Sequence, residues 1–377
     1  MRSMSTKHAI NRSQVIENAR QAVIYRGKTP AHSSEFCAIQ PWITQSWQRC
    51  LSLGLEPERT LGFDLITTAM QRRQQDANQP LNSAAHATLA QLGLAIAQTR
   101  YFAILTNVHG VVINTGGAID RSDPRASLIT RVGVDLSERA IGTSAIGATL
   151  AEQHSTWLHQ GEHFFADTRC YSCAGTPITG PDGDCVGMLD VTGIDVDERP
   201  QLVHLVASSA RSIENTLVLA TPHVLVLHLH WLGQHGGKDA EGLLCLDDDG
   251  AVCAINPMAR QMLGLTSATA QKWHISDIFA CAWGDFFDAR DKGTVMRVPL
   301  WSGLQMCVRT SRAGTLAPKA YTRTGIANTP LTEPLKAHET TLIKQTVMQL
   351  KGNVAAAAKK LGISRATIYR KLGRPRA

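Results

Sequence analysis

Apolar residues never run long enough in this sequence to cross a bilayer. The most apolar window, "HVLVLHLHWLG", is too short and too rich in His for that. The opening "MRSMSTKHAINRSQ" holds no apolar stretch of the kind that makes a secretory leader, so the expected compartment is the cytoplasm, with no membrane partner. A disulfide framework is missing too. Nine cysteines, an odd number scattered from Cys37 to Cys307, read as reduced thiols. A phosphate loop is also lacking. The pattern G-x-x-x-x-G-K-[ST] lets backbone amides surround the phosphates while the Lys reaches them. Gly27-Lys28-Thr29 has Ala22 where the first Gly belongs and Pro30 where a helix should continue, and Gly237-Lys238 is followed by Asp239. An ATP-driven motor is therefore not expected.

What is present suits a globular protein of several parts. The 377 residues are too many for one ordinary core and suggest two or three domains, and 44% hydrophobic content is that of a soluble chain. A formal net charge of +7 suits a nucleic-acid partner, but much of the excess sits in the tail. From Lys351 to the end there are eight Lys or Arg and no acid.

That tail, "GNVAAAAKKLGISRATIYRKL", has a helical period. Val354, Ala357, Ala358 and Leu361 fall on one stripe, with Lys359 and Lys360 left to the wet side. Gly352 can close the preceding helix and Asn353 can cap the next. Gly362 breaks that helix, Ser364 caps another, and Ile368 and Leu372 face inward while Arg365, Thr367, Tyr369 and Arg370 stay outside. Leu342, Ile343, Val347 and Leu350 give a third helix an apolar face. A solvated charged helix is the ordinary meaning of a Lys/Arg cluster. Here caps, Gly turn and alanine-rich helix coincide with the charge, as entry into a DNA major groove requires.

The stretch resembles the Fis-type helix-turn-helix at the C-terminus of bacterial enhancer-binding regulators. Gly352, Asn353, Ala356, Ala357, Leu361, Gly362, Ile363, Arg365, Thr367, Tyr369, Arg370, Lys371 and Leu372 carry the likeness. It implies contacts to double-stranded DNA from Ser364, Arg365, Thr367, Tyr369, Arg370 and Lys371. One such unit touches few phosphates and bases, and non-specific affinity is weak, on the order of 10⁻⁴ to 10⁻⁶ M. A homodimer on a two-fold site is the expected remedy.

Earlier in the chain, residues 12–60 look helical and include Trp42 and Trp47, a pair read as packing. After the polar "RRQQDANQP", a helix is expected from near Ser83 to Gln98 with Leu89, Leu92 and Ile96 on one side. The hairpin "YFAILTNV" and "VVINTG", then "STWLHQ", "YSCAGTPI", a turn at "PDG" and "CVGMLDVTG" read as strands, closed by a helix from about Glu198 to Leu217. Leu202, Leu205, Val206, Ser209, Ile213 and Leu217 stripe that helix, either to cover the sheet or to pair with a twin. The fold class is α+β, with helices on one face of a sheet.

"SWQRC", "SLITRVGVDLSERAIGTSAIGATLAEQ", "GEHFFADTRCYSCAGTPI", "PDGDCVGMLDVTG" and "LVASSARSIEN" resemble the GAF sensor domain of the acetoin catabolism and dihydroxyacetone regulator family. The likeness implies a small-molecule effector enclosed between the sheet and the loops over it. It places Gly142, Thr143, Ile146 and Gly147 in the covering loop and helix, and His163 and Cys173 on the lining. Gly and Thr can equally well only shape a turn, and a buried Cys is often a small hydrophobe. Cys170, Cys173 and Cys185 are half a metal site, a redox pair or neither, and no spacing marks a structural zinc. Free methionine sulfoxide reductases use active cysteines on a GAF fold, which makes a redox or sulfoxide-reducing enzyme the alternative function.

"GLLCLDDDGAVCAINPMARQMLGL" is strand, turn, strand and a helix capped by Asn256, and resembles the start of a PAS domain, with "GTVMRVPL" and "LQMCVRT" as later strands. No haem or flavin signature stands out, so no cofactor and no metal are expected, and His274 reads as structural. The organisation expected is an N-terminal helical segment over 1–80, a GAF sensor over 81–220, a PAS-like domain over 240–310, a linker over 311–335 and an all-α helix-turn-helix over 336–377. Regulators with this sensor and tail usually carry between them an ATPase that remodels polymerase. Its absence leaves a non-enzymatic transcription regulator, with RNA polymerase as a further possible partner.

Overall fold

The computed structural model describes residues 3–27, 39–232, 241–265, 273–289 and 295–312, plus Val347, Val354 and Ala358, with side chains 3–11 and 72–75 excepted. Met1–Thr315 and Leu316–Ala377 are separate compact units. In the second, Val347, Val354 and Ala358 are helical and Ala358 is buried. The DNA-contact residues Ser364, Arg365, Thr367, Tyr369, Arg370 and Lys371 lie outside the described residues, as does most of the expected linker.

The first unit is mixed α and β, built on two antiparallel sheets. Before the first sheet come α1 (Ser3–Arg20), which ends in a π-turn over Gln21–Tyr25, then α2 (Pro41–Ser52) and α3 (Thr68–Ile96). The sheet has the order β2-β1-β5-β4-β3, with β1 Tyr101–Asn107, β2 Val112–Gly116, β3 Thr156–His159, β4 Tyr171–Thr179 and β5 Cys185–Ile194. Between β2 and β3 lie α4 (Pro124–Ile129), α5 (Glu138–Ile141) and α6 (Ala145–Glu152), and α7 (Leu202–Ala220) follows β5.

Both faces of this sheet are covered, which corrects the expectation of helices on one face. Strand alternation sends Ala103, Leu105, Ala174, Leu189 and Val191 to the side packed by α3 and α7, and Phe102, Ile104, Tyr171, Cys173 and Met188 to the side packed by α4, α5 and α6. On α3, Leu81, Ala85, Leu89, Leu92 and Ile96 keep a helical period toward the sheet. On α7 the stripe covers its own sheet, with Leu202, Val206, Ile213 and Leu217 all buried. α3 begins at Thr68, not near Ser83 as the sequence suggests. Thr67 caps it by accepting from the Met70 amide, and its first half is polar, with Pro80 exposed.

The second sheet has the order β8-β7-β6-β10-β9, from β6 Leu225–Trp231, β7 Gly242–Leu246, β8 Val252–Ile255, β9 Val295–Pro299 and β10 Gln305–Arg312. It therefore starts before the expected boundary at 240, and β10 enters the expected linker by two residues. The window judged too short for a membrane is its central strand, with Leu225, Leu227 and Leu229 inward and His228 and His230 outward. α8 (Pro257–Leu263), α9 (Ile275–Ile278) and α10 (Gly284–Asp288) close its core, Asn256 capping α8 as expected and His274 capping α9. Val218 of α7 packs on the outer face with Val226, Leu243, Cys245 and Ala254. Among the described residues no helix is long and apolar enough to cross a membrane.

Candidate functional site

A small cavity lies between the first sheet and the segments over its α4–α6 side. Ile104, Tyr171, Cys173 and Thr192 form its floor, and Phe63, Ile129, Leu136, Ile141, Ser144, Ala145, Ile146, His163 and Thr168 its walls and cover. It measures about 20 Å³, room for roughly one water.

Polar side chains run in a line along this side of the sheet. His163 is buried, and its Nδ1 lies 3.0 Å from the Gln160 carbonyl, which can only accept; the ring proton therefore sits on Nδ1. The Nε2 lone pair then faces Cys173 Sγ at 3.6 Å. Thr192 Oγ1 is 3.3 Å from the same sulfur and hydrogen-bonds Asp190 Oδ2. Asp190 is fully buried, and its Oδ1 has no partner. Burial pushes the Asp190 carboxyl up to about 7 and the His163 imidazole down to about 4, and raises the Cys173 thiol well above its usual range. Thr192 has one proton to give, and a protonated Asp190 leaves it for the sulfur. The line as a whole is then neutral.

Three of the sequence-selected effector residues, Ile146, His163 and Cys173, meet at this cavity. Gly142 and Thr143 do not line it, although their neighbours Ile141 and Ser144 do. Gly142 has φ +65°, and a Cβ there would stand 2.9 Å from Phe164 Cβ and from ring carbons of Phe165. Its role is close packing of the cover. Thr143 faces away, its Oγ1 2.7 Å from Ser46 Oγ and 3.5 Å from Cys50 Sγ. Gly147 opens α6, its amide donating to the Ser144 cap.

The N-terminal helices hold the cover from outside, through residues of which sequence reasoning assigned only Trp47 to packing. "SWQRC" supplies most of the grip. Ser46 donates to Glu138 Oε2 at 3.1 Å, and Arg49 takes both Glu138 oxygens at 2.8 and 3.0 Å and Glu152 at 2.8 Å. Trp47 Nε1 donates to the Glu162 carbonyl at 2.9 Å. Arg20, fully buried beside the Trp47 ring, donates to the carbonyls of Gly161 at 3.0 Å, Phe164 at 2.8 Å and His163. Burial, helped by the nearby charge of Arg169, lowers its guanidinium to about 10. Arg12 binds Glu162 at 2.8 Å and Glu198. Ser46, Arg49 and Cys50 thus hold the 138–152 segment and Arg12, Arg20 and Trp47 hold 161–164. The signal available in sequence was a buried-type Trp flanked by Ser, Arg and Cys; the partners, about a hundred residues distant, were not visible.

The three cysteines do not come together. Cys185 pairs with Thr179 while Cys173 pairs with Thr192, so they stand seven residues apart along β5, roughly 23 Å at ~3.3 Å per residue. Burial raises the thiols of Cys170 and Cys173. Neither is poised as a thiolate, which argues against the reductase reading. Among the described residues, no group of three His, Cys, Asp or Glu is placed to hold a metal.

Comparison with known proteins adds to this geometry. Residues 26–215 match the family described as MimR, N-terminal domain, and residues 335–374 match the bacterial regulatory proteins of the Fis family. The acetoin catabolism regulatory protein of Cupriavidus necator is 29% identical over 257 residues, covering 66% of this chain and 38% of that protein. The signal-transduction and transcriptional-control protein of Clostridium beijerinckii is 27% identical over 229 residues, covering 59% and 35%. This chain therefore corresponds to well under half the length of these relatives. Among solved structures, the E. coli DhaR(N)–DhaL complex is 14% identical with a TM-score of 0.45, over 72% of this chain and 99% of that one.

Proposed function

Since the chain belongs to the MimR N-terminal domain family, we propose that it is a sequence-specific DNA-binding transcription regulator answering to a small metabolite. The observation that carries this reading is the presence, in one chain, of a cavity under the cover of the first sheet and a Fis-family segment at 335–374. The first sheet is a GAF-type sensor, the second a PAS-like module, and the tail a Fis-type helix-turn-helix. The effector sits against Ile146, His163 and Cys173, with Gly142 and Thr143 shaping the cover. Ser364, Arg365, Thr367, Tyr369, Arg370 and Lys371 meet double-stranded DNA as part of a homodimer. With no phosphate loop in the sequence, regulation proceeds without ATP-driven work on polymerase, and RNA polymerase is at most a contacted partner.

Signalling in this scheme runs through the clamp. An occupant that pushes on the cover alters the bonds from Ser46 and Arg49, and the N-terminal helices respond. The test is binding to the DNA flanking the protein's own gene, followed by fluorescence anisotropy. Arg365→Ala and Arg370→Ala should each weaken binding by about 1–3 kcal/mol where the residue reads a base, or uniformly across sequences where it holds a phosphate. Unchanged affinity in both variants would contradict the assignment.

A further inference from the structure

The stripe of α3 that enters the core changes character part-way along the helix. Ala85, Leu89, Leu92 and Ile96 repeat at helical steps, and the same steps continued backwards reach Asn82, Asn78 and then Gln71. Three carboxamides thus stand where apolar residues would be if this half of the helix only packed. Opposite them are Ile66, Val111, Val112, Ile113 and Val132, and between the two sides lies a pocket of about 150 Å³ that also touches Gly133. It shares no lining residue with the cavity under the cover. Gly133 has φ +91°, and a Cβ there would stand 3.4 Å from Gln71 Nε2, so the Gln71 carboxamide lies against a bare turn. Asn82 Oδ1 accepts from Asn114 Nδ2 at 2.6 Å, which leaves the Asn82 amide N–H groups to donate. Gln71 and half-buried Asn78 make no side-chain hydrogen bond to another described residue.

We infer that this pocket is a second small-molecule site, and that its ligand is a neutral ring compound with an N–H beside a C=O, as in a lactam or a pyridone. The inference depends on neither the effector cavity nor the DNA-binding tail. The two sides of the pocket decide the chemistry. A carboxamide offers a donor and an acceptor side by side, and an adjacent N–H and C=O meet both at once, as the adenine edge does with Asn or Gln. The facing hydrocarbon asks for a ligand that is apolar everywhere except along that edge. A polyol would press hydroxyls against Val and Ile, and an ion would find no counter-charge, since no charged side chain is among the described residues of the lining. Size agrees: an engineered apolar cavity of about 150 Å³ holds benzene.

Ligand-observed NMR with the full chain tests this, using 2-piperidone, cyclohexanone, which keeps the ring and the C=O but lacks the N–H, and the piperidinium cation. 2-Piperidone should bind about ten-fold tighter than cyclohexanone, the worth of one hydrogen bond, and piperidinium should not compete. The double variant Gln71→Leu/Asn78→Leu, which continues the apolar stripe of α3, should lose the preference. Ile146→Trp, which fills the separate cavity under the cover, should retain it. Equal binding of 2-piperidone and cyclohexanone by the wild-type chain needs no variant to be read and overturns the inference. So does the absence of any 2-piperidone binding, displacement by piperidinium, a preference that survives in the double variant, or one that vanishes in Ile146→Trp.

Discussion

The two sheets of the first unit share strand number and antiparallel pairing but treat their polar groups in opposite ways. On the first, four polar side chains, His163, Cys173, Thr192 and Asp190, are sealed on the side that carries a cavity. On the second, the corresponding interior is filled by Phe279 and Phe286, rings 5.3 Å apart, with Met306 and Val308, and Thr310 is a buried hydroxyl there. Its polar cluster faces outward: Glu241 lies 3.0 Å from His228 and His230 and 3.1 Å from Arg309. Burial opposes the charge on Glu241, yet those donors carry it down to about 2. The first sheet keeps a buried polar interior beside a cavity. The second gathers its charged groups on the outer side of the sheet and fills its core with rings and aliphatic chains, among which the Thr310 hydroxyl has no partner.

Four changes would break or sharpen this contrast. Arg20→Ala strips three buried carbonyls of a charged donor and should cost the first sheet about 5 kcal/mol, given ~1.5–3 kcal/mol per bond to a charged group. Amide hydrogen exchange of β1 and β5 should report the loss while β6 and β10 exchange as before. An unchanged first sheet would mean that the clamp is not structural.

The next effect depends on pH. The Asp190 carboxyl, raised from an ordinary 3.8 to about 7, keeps its proton in the native state after the unfolded chain has lost it. The native state then binds more protons than the unfolded one between those values, so this group lowers stability as pH rises from about 4 to 7. His163, lowered from 6.5 to about 4, acts with the opposite sign over much of that window and masks the effect. Asp190→Asn should therefore gain on the wild type by roughly 4 kcal/mol between about pH 4 and pH 7 and then level off, at ~1.4 kcal/mol per pKa unit. Parallel stability curves for the two proteins would show that Asp190 ionises normally.

Phe286→Ala should cost about 3–4 kcal/mol through the cavity that it opens in the second core. Exchange in β1 and β5, and small-molecule binding, should be unaffected. The smallest effect belongs to Arg49→Met. Arg49 is partly exposed, so about 1 kcal/mol is expected after screening, but exchange at Ile141–Ala145 should speed up because the cover loses its outer tether. If protection there does not change, the grip of α2 on the cover is incidental.

Much of the first sheet was legible because its strands are short apolar runs bounded by turns, and β1, β2, β4 and β5 fall where the pattern puts them. The start of α3 was not, since Thr68–Asn82 is polar and contains a Pro, and its helicity shows neither amphipathic period nor composition. The strand β6 was passed over although its Leu/His alternation is the period of a half-buried strand, because the window was weighed only against a membrane span. Of the site, Ile146, His163 and Cys173 were reachable by likeness. Asp190 was not, because an acid in a strand ordinarily faces water; the clue was that apolar residues surround it on both alternations of "VGMLDVTG", so both faces are covered. Arg20 escaped notice, and "SWQRC" was marked only by its likeness to the sensor family and not by its contacts, since each acts through partners far away in sequence.

The central claim is that occupancy of the first-sheet cavity governs the DNA-binding tail. It is tested most directly by the affinity of the full chain for its target DNA, measured by anisotropy in the wild type and in Ile146→Trp, whose larger side chain occupies the cavity and presses on its cover. The account predicts a several-fold change in the variant, of the size that coupling between sites usually takes. DNA affinity that is the same in the two proteins, while circular dichroism shows the variant folded, would contradict it.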